Sequence, residues 1–317
     1  MKNLNKNSKK AFSLVEISIV ILIIGLLIAG ISKAGDMIFD VSLKSANSLT
    51  KGAKVGRMAN LALWLETTTD ESILEKERYE GADISIWRDI NPQSSSKFIF
   101  KKVGSPKYVE KGQDNLPAVG SLSSTNYFLP YISESSSTVS VLSSSQVFLS
   151  GAQLTIFAVI KPKALSASAD LFFFCEYASP TFTCNASKEI RLGLNATGNV
   201  TFSSVGGASE TPATSTITST TNHSSKNLII VSALKDSAGL KLAVNGKSDA
   251  TTVAALNNAM PSFNGTFRIG GATNPATDIE IQEIIVFSSA LSDADRIIVE
   301  TYLGKKYNVV MTKTSTL

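Results

Sequence analysis

The stretch from Phe12 to Ile31, FSLVEISIVILIIGLLIAGI, holds twenty residues and a single charge, Glu16. As a helix rising 1.5 Å per residue it spans about 30 Å, the thickness of a bilayer's hydrocarbon core. Signal-peptide cores are shorter and end in small residues before a cleavage site. Here the run leads into sequence that keeps a helical pattern. Lys2, Lys6, Lys9 and Lys10 are the only charged residues before it. Basic flanks stay cytoplasmic. The expectation is a single-pass anchor with its N-terminus in the cytoplasm and the remainder outside.

Glu16 is the anomaly in this segment. A carboxylate inside a bilayer costs roughly 3 kcal/mol on insertion scales, and it requires a partner. No Lys or Arg lies between Lys10 and Lys33. A cut between Ala11 and Phe12 would create a cation, the α-amino group of Phe12. Within one helix that amine points away along the axis. On a neighbouring chain shifted along its own axis it would sit beside Glu16, so the pairing favours a staggered array of copies.

The string KKAFSLVEISIVILIIGLLIAG resembles the type IV prepilin N-terminus shared by pilins, minor pilins and type II secretion pseudopilins. The resemblance implies that prepilin peptidase removes residues 1–11 by cutting between Ala11 and Phe12, that Phe12 is N-methylated, and that Glu16 guides assembly with other pilin-like subunits. It also implies residence in a bacterial inner membrane, then in the periplasm or a cell-surface filament. Two positions depart from the pattern: Ala11 stands where the family usually has Gly, and Lys33 stands near the place where many pilins carry a helix-kinking proline. An ordinary signal anchor is the alternative, and it leaves Glu16 unexplained.

Charge follows the same division. The 30 Lys and Arg residues outnumber 26 Asp and Glu, and the four leader lysines account for the whole excess. The rest of the chain is neutral, and no basic cluster interleaved with aromatics marks a nucleic-acid reader. After Ile31, the residues Ile38, Val41, Leu49, Val55, Met58 and Leu61 recur at mostly helical spacing, with no proline from Met1 to Asn91. One helix is expected from Phe12 to about Asn60. Residues 12–31 would lie in the membrane and 32–60 would form an amphipathic continuation; a flexible spacer is the alternative.

From Leu61 short β-branched and aromatic runs alternate with Ser, Gly, Asn and Pro: LALWLE, ISIWRD, FIFKK, LTIFAVIK, LFFFCEY, IRLGLN, NVTFSS, LIIVSAL, LKLAVNG, GTFRIGG and IEIQEIIVF. This pattern predicts a β-sandwich. LKLAVNG closes in an Asn-Gly hairpin turn. Ser-rich stretches 132–146 and 203–225 read as surface loops. A last helix is expected from Ser292, its cap, to about Lys305. LALWLE, WRDINPQ, LTIFAVIKP, LKLAVNGK, FRIGG and the closing IQEIIVFSSALSDADRIIVETYLGKKYNV are similar to laminin-G-like members of the concanavalin A-like jelly-roll superfamily. The similarity covers most of residues 61–310, leaving 311–317 as a tail. It implies a long N-terminal α-helix followed by a mainly-β jelly-roll sandwich and a short C-terminal helix. Members bind sugars or proteins, or hydrolyse glycans; the fold alone decides none of these.

Candidate chemistry is sparse. Glycan hydrolysis needs two carboxylates flanking the bond. In TDIEIQEIIVF alternation puts Asp278, Glu280 and Gln282 on one face, and Glu283 on the other with Ile279, Ile281 and Ile285. Glycosidases of this fold often carry Glu-x-Asp-x-(x)-Glu in such a strand; here the order differs and Gln282 takes the third place. Asp89 and Asn91 in WRDINPQ form either an Asx turn or part of a Ca²⁺ site, and a calcium site needs more oxygens than the stretch supplies. His223 is the only histidine, so no Ser-His-Asp arrangement is argued. Cys175 and Cys184 flank Pro180; in an exported domain a disulfide between them is expected, with two buried thiols as the alternative. No catalytic residue, cofactor or resident metal is assigned. The expectation is a minor pilin or pseudopilin that displays a sandwich for adhesion to a glycan or protein. The alternatives are a secretion pseudopilin contacting cargo and, further off, an anchored glycan-acting enzyme.

Overall fold

The structure is a computed structural model of the 317-residue chain. It describes residues 13–94, 97–131, 133–136, 153–165, 167–178, 183–206, 213–224, 227–250, 265–271 and 278–312. Ala11 and Phe12, and most of the 132–146 stretch, lie outside the described residues.

Helix α1 (Leu14–Gly52) opens on a capping box: Ser13 Oγ accepts from the Val15 amide, and Glu16 Oε2 accepts from the Ser13 amide at 2.8 Å. The large apolar side chains from Leu14 to Ile31 all stand exposed. By length and composition this helix can cross a membrane. Its outer half is one-sided, since Phe39, Ala46 and Thr50 are buried while Met37, Ile38 and Val41 remain exposed. The helix stops at Gly52, short of the expected Asn60. Ala53 turns extended (φ −65°, ψ 137°) and a 3₁₀ turn, Lys54–Arg57, follows. That turn seats Val55 at 0 % exposure, worth about 1.5–3 kcal/mol of apolar burial. A continuing helix would forgo that burial.

The strands follow. They are β1 (Leu61–Glu66), β2 (Ile86–Arg88), β3 (Ile99–Val103), β4 (Lys107–Val109), β5 (Ala118–Gly120), β6 (Tyr127–Tyr131), β7 (Leu154–Ala164) and β8 (Ala169–Ala178). Then come β9 (Thr183–Leu194), β10 (Val200–Gly206), β11 (Ala213–Thr218), β12 (Ile229–Lys235), β13 (Leu240–Val244), β14 (Lys247–Ser248), β15 (Gly265–Ile269) and β16 (Asp278–Phe287). Helix α2 (Asp293–Lys306) closes the fold, with Ser292 accepting from the Asp295 amide as its cap. One antiparallel sheet runs β14-β13-β12-β7-β16-β5-β4, with β1 also on β16; the other runs β11-β10-β9-β8-β15-β6-β3-β2. Each of the eleven apolar runs contributes a strand, and Asn245-Gly246, both at positive φ, turn β13 into β14.

Three layers result: helices, first sheet, second sheet. Ile156, Ala158 and Ile160 of β7 face the second sheet, whereas Phe157 and Val159 face the helices with Val299 and Leu303 of α2. Burial on both faces explains why β7 reads as continuous apolar sequence. The second sheet has an apolar inner face only, so β9 and β10 alternate. Residues 203–225 are not one loop. They include the end of β10 and all of β11, which pairs from Thr201–Thr218 to Gly206–Ala213. Thr is β-branched and suits a pleated surface, and Ile217 anchors β11 in the core; the serine content hid this strand.

Candidate functional site

Two regions gather functional side chains: the junction between α1 and the sandwich, and the outer face of the second sheet. At the junction Lys306, on the last turn of α2, is wholly buried between two carboxylates. Its Nζ lies 2.8 Å from Glu283 Oε2 and 3.0 Å from Glu66 Oε2. Glu283 also accepts from Trp64 Nε1 (2.7 Å), Tyr302 (2.9 Å) and Tyr307 (2.8 Å). Glu66 accepts from the amides and hydroxyls of Thr68 and Thr69. Burial alone would depress the Lys306 ammonium, but the Glu283 and Glu66 charges outweigh it and hold it above its ordinary value. Burial likewise opposes the Glu66 charge, yet Lys306 and the threonine donors keep that carboxyl below its usual range. The tyrosine hydroxyls, buried beside Glu283, are pushed well up and stay protonated donors. The network reaches α1 through Thr50, 3.1 Å from the Tyr302 hydroxyl. It was not anticipated from sequence; Tyr302, Lys306 and Tyr307 were visible only as a closing motif. Against this end of α1 lies a cleft of about 430 Å³ lined by Lys51, Arg57, Trp64, Asp70, Glu71 and Ile90 among others.

On the second sheet, Arg268, Phe173, Arg191, Ser203 and Thr216 stand opposite one another on neighbouring strands. Directly opposed residues share a face. Both guanidinium groups stack on Phe173, at 4.5 Å for Arg191 and 5.1 Å for Arg268, and Arg268 also lies over Tyr127 at 5.2 Å. Arg268 binds Asp170 at 2.6 Å. Arg191 reaches Asp170 and Glu189 only at 3.6 and 3.4 Å. Arg191 Nε, Arg268 Nε and Thr266 Oγ1 are buried without a hydrogen-bond partner.

Residues 6–32 match the prokaryotic N-terminal methylation motif, so the N-terminus is of the type IV prepilin kind. Residues 134–295, half of the chain, match the concanavalin A-like lectin/glucanases superfamily. The chain belongs to that superfamily. No curated protein matches it. Among solved structures, the binding domain of Paraclostridial Mosquitocidal Protein 1 is similar at TM-score 0.51 and 13% identity, over 79% of this chain and 53% of that one. The binding domain of botulinum neurotoxin serotype C1 gives 0.52 at 11% identity, over 78% and 53%. The binding domain of Botulinum Neurotoxin DC, in complex with SialylT, gives 0.52 at 12%, over 78% and 52%. At such identities the likeness is one of fold, and this chain spans about half the length of those structures.

Within this concanavalin A-like sandwich the acids of β16 are all engaged. A bulge between Ile281 and Glu283 shifts the strand's phase. Ile279 and Ile281 therefore enter the inter-sheet core, while Glu283 joins Ile285 on the helix side, whereas strict alternation places all four on one face. Gln282 sits at the bulge, its amide reaching the Leu116 carbonyl at 3.2 Å. Glu280 is 2 % exposed and paired with Lys163 at 2.7 Å, and Asp278 accepts from the Ser121 amide. Asp89 and Asn91 are buried in an Asx turn. Asp89 Oδ1 accepts from the Trp64 and Asn91 amides, and Asn91 Oδ1 from the Gln93 amide. These oxygens face the backbone. Asp89 Oδ2 has no hydrogen-bond partner, and burial pushes the carboxyl up to about 6 against the Asn91, Trp64 and Phe98 amides and the Lys97 charge. His223 lies 3.2 Å from Asp249, a pairing with no sequence signal. Cys175 is fully buried and disulfide-bonded; the side chain of Cys184 lies outside the described residues.

Proposed function

We propose that this protein is a type IV pilin-like subunit that displays a lectin-like sandwich for adhesion. Prepilin peptidase would cut between Ala11 and Phe12, Phe12 would be methylated, and Glu16 would pair with the new amine of a neighbouring subunit. Cys175 and Cys184 would form the disulfide of the exported domain. A sandwich this large is bulky for a repeating major subunit, which favours a minor pilin or pseudopilin.

One observation carries the reading. A single helix has a prepilin-type N-terminus with exposed apolar sides, and its far end is locked onto a lectin-like sandwich through buried Ala46 and Thr50 and half-buried Tyr302. Such a strut suits the transfer of a sandwich from a membrane into an array. In the capping box Glu16 accepts one amide, and among the described residues no cation pairs with its charge. The test is Glu16→Ala in the native membrane. Insertion and cleavage are expected to persist, while filaments or pseudopili containing the subunit disappear; undiminished incorporation would overturn the pairing.

A further inference from the structure

The outer face of the second sheet carries a row whose arginine donors are only partly satisfied within the sandwich. Arg268, Phe173, Arg191, Ser203 and Thr216 cross β15, β8, β9, β10 and β11 in register. Strands about 4.8 Å apart make this row about 19 Å long. Thr201 and Thr218, opposite each other one position pair along, add two hydroxyls to the same face.

We propose that this row is the binding site for an acidic glycan, whose carboxylate or sulfate is received by Arg191 and Arg268. The inference rests on the sandwich being a ligand-binding module. Arg191 is held in place by stacking on Phe173, yet its acceptors lie at 3.4 and 3.6 Å. Charge-assisted bonds are ordinarily about 2.7–2.9 Å. Its guanidinium is therefore oriented but not saturated, and its side chain is 34 % exposed. Arg268 is committed to Asp170 through one nitrogen, while its Nε and the Thr266 hydroxyl are buried and unpartnered. The cluster thus has more donors than acceptors. A planar oxyanion supplies the acceptors that the exposed end of Arg191 lacks and can take two parallel bonds from its guanidinium. Asp170 and Glu189 cancel the formal charge of the two arginines, so a bare anion gains little from the field alone. The hydroxyls of Ser203, Thr216, Thr201 and Thr218 match the alternating donors and acceptors of sugar hydroxyls further along the row. Together they favour an acid group carried on an extended oligosaccharide.

The test uses the full mature chain in detergent with a panel of carboxylated and sulfated oligosaccharides, each beside its carboxyl-reduced or desulfated counterpart. At least one acidic oligosaccharide is expected to bind, with the neutral counterpart weaker by about tenfold or more, or about 1.4 kcal/mol. The carboxylated and sulfated arms identify the oxyanion. Arg191→Gln is expected to weaken binding by a similar factor. Thr216→Glu, at an exposed position that leaves the core untouched, keeps the test valid should Arg191→Gln not fold, and it is expected to repel the acidic ligand by about tenfold. No binding to any acidic member at millimolar concentration, equal binding of the neutral counterpart, or indifference to Thr216→Glu would overturn the proposal. Filament incorporation of the Thr216→Glu chain is scored in parallel. Normal incorporation without acidic-glycan binding sinks this site alone, whereas incorporation that ignores Glu16→Ala sinks the pilin reading.

Discussion

Thr50 and Tyr302 share a hydrogen bond of 3.1 Å although 252 positions separate them. Thr50 closes α1, and Tyr302 lies on α2 at the other end of the chain. The same tyrosine hydroxyl contacts Glu283, which holds Lys306, which reaches Glu66. A continuous buried polar path therefore ties the membrane-type helix to the sandwich that it carries.

Removing the cation from this path should be severe. Lys306→Met leaves Glu66 and Glu283 buried without a counter-charge, a loss of about 3–5 kcal/mol. Denaturant unfolding followed through Trp64 and Trp87, the two tryptophans of the chain, measures it. Adding Glu283→Gln to that variant should recover part of the loss. If the single variant unfolds like wild type, the pair has no energetic weight.

Tyr302→Phe keeps the ring and deletes the hydroxyl. We expect a cost of about 1–3 kcal/mol from the partners left unpaired. Amide exchange in the last turn of α1 around Thr50 should speed up more than exchange in β7. Equal acceleration throughout would mean that the hydroxyl does not tether the helix.

Asp89 and Glu66 impose opposite pH dependences. The Asp89 carboxyl sits near 6 in the fold against 3.8 ordinarily, so the folded state holds that proton more tightly. Its contribution is fully present below about pH 4, declines as pH rises to about 6 and is flat above, a swing of about 2–3 kcal/mol. Glu66, held below 4.5, contributes above that pH and loses its contribution as pH falls through its lowered value. Asp89→Asn should therefore be more stable than wild type at pH 7 and nearly equal at pH 4. A stability difference independent of pH would refute the assignment.

Processing is checked by intact mass. The mature chain should lack residues 1–11, begin at Phe12 and carry one added methyl group. In that same measurement the two cysteines should resist alkylation until reduced. A native chain that still starts at Met1 would remove the amine that Glu16 requires.

Much of the architecture was legible from residue order. The uninterrupted apolar run, the position of Glu16 inside it and the lysines before it follow from local chemistry and need no tertiary contact. Strands such as LTIFAVIK and LIIVSAL were equally plain, because burial on two faces leaves an apolar run that nothing else explains. The Ser292 cap and the Asn245-Gly246 turn are likewise encoded within a few residues. What stayed hidden depends on distant partners. Where α1 ends was decided by Val55 finding a core pocket, and β11 became a strand because β10 offered an edge. The bulge at Gln282 turned Glu283 toward α2, which no count of alternate residues reveals. Nor could sequence bring Lys306 to Glu66, or set Arg268, Phe173 and Arg191 in one row. Periodicity is a property of neighbours along the chain, whereas the pairing of buried charges and the register of strands are set by which surfaces meet once the layers close.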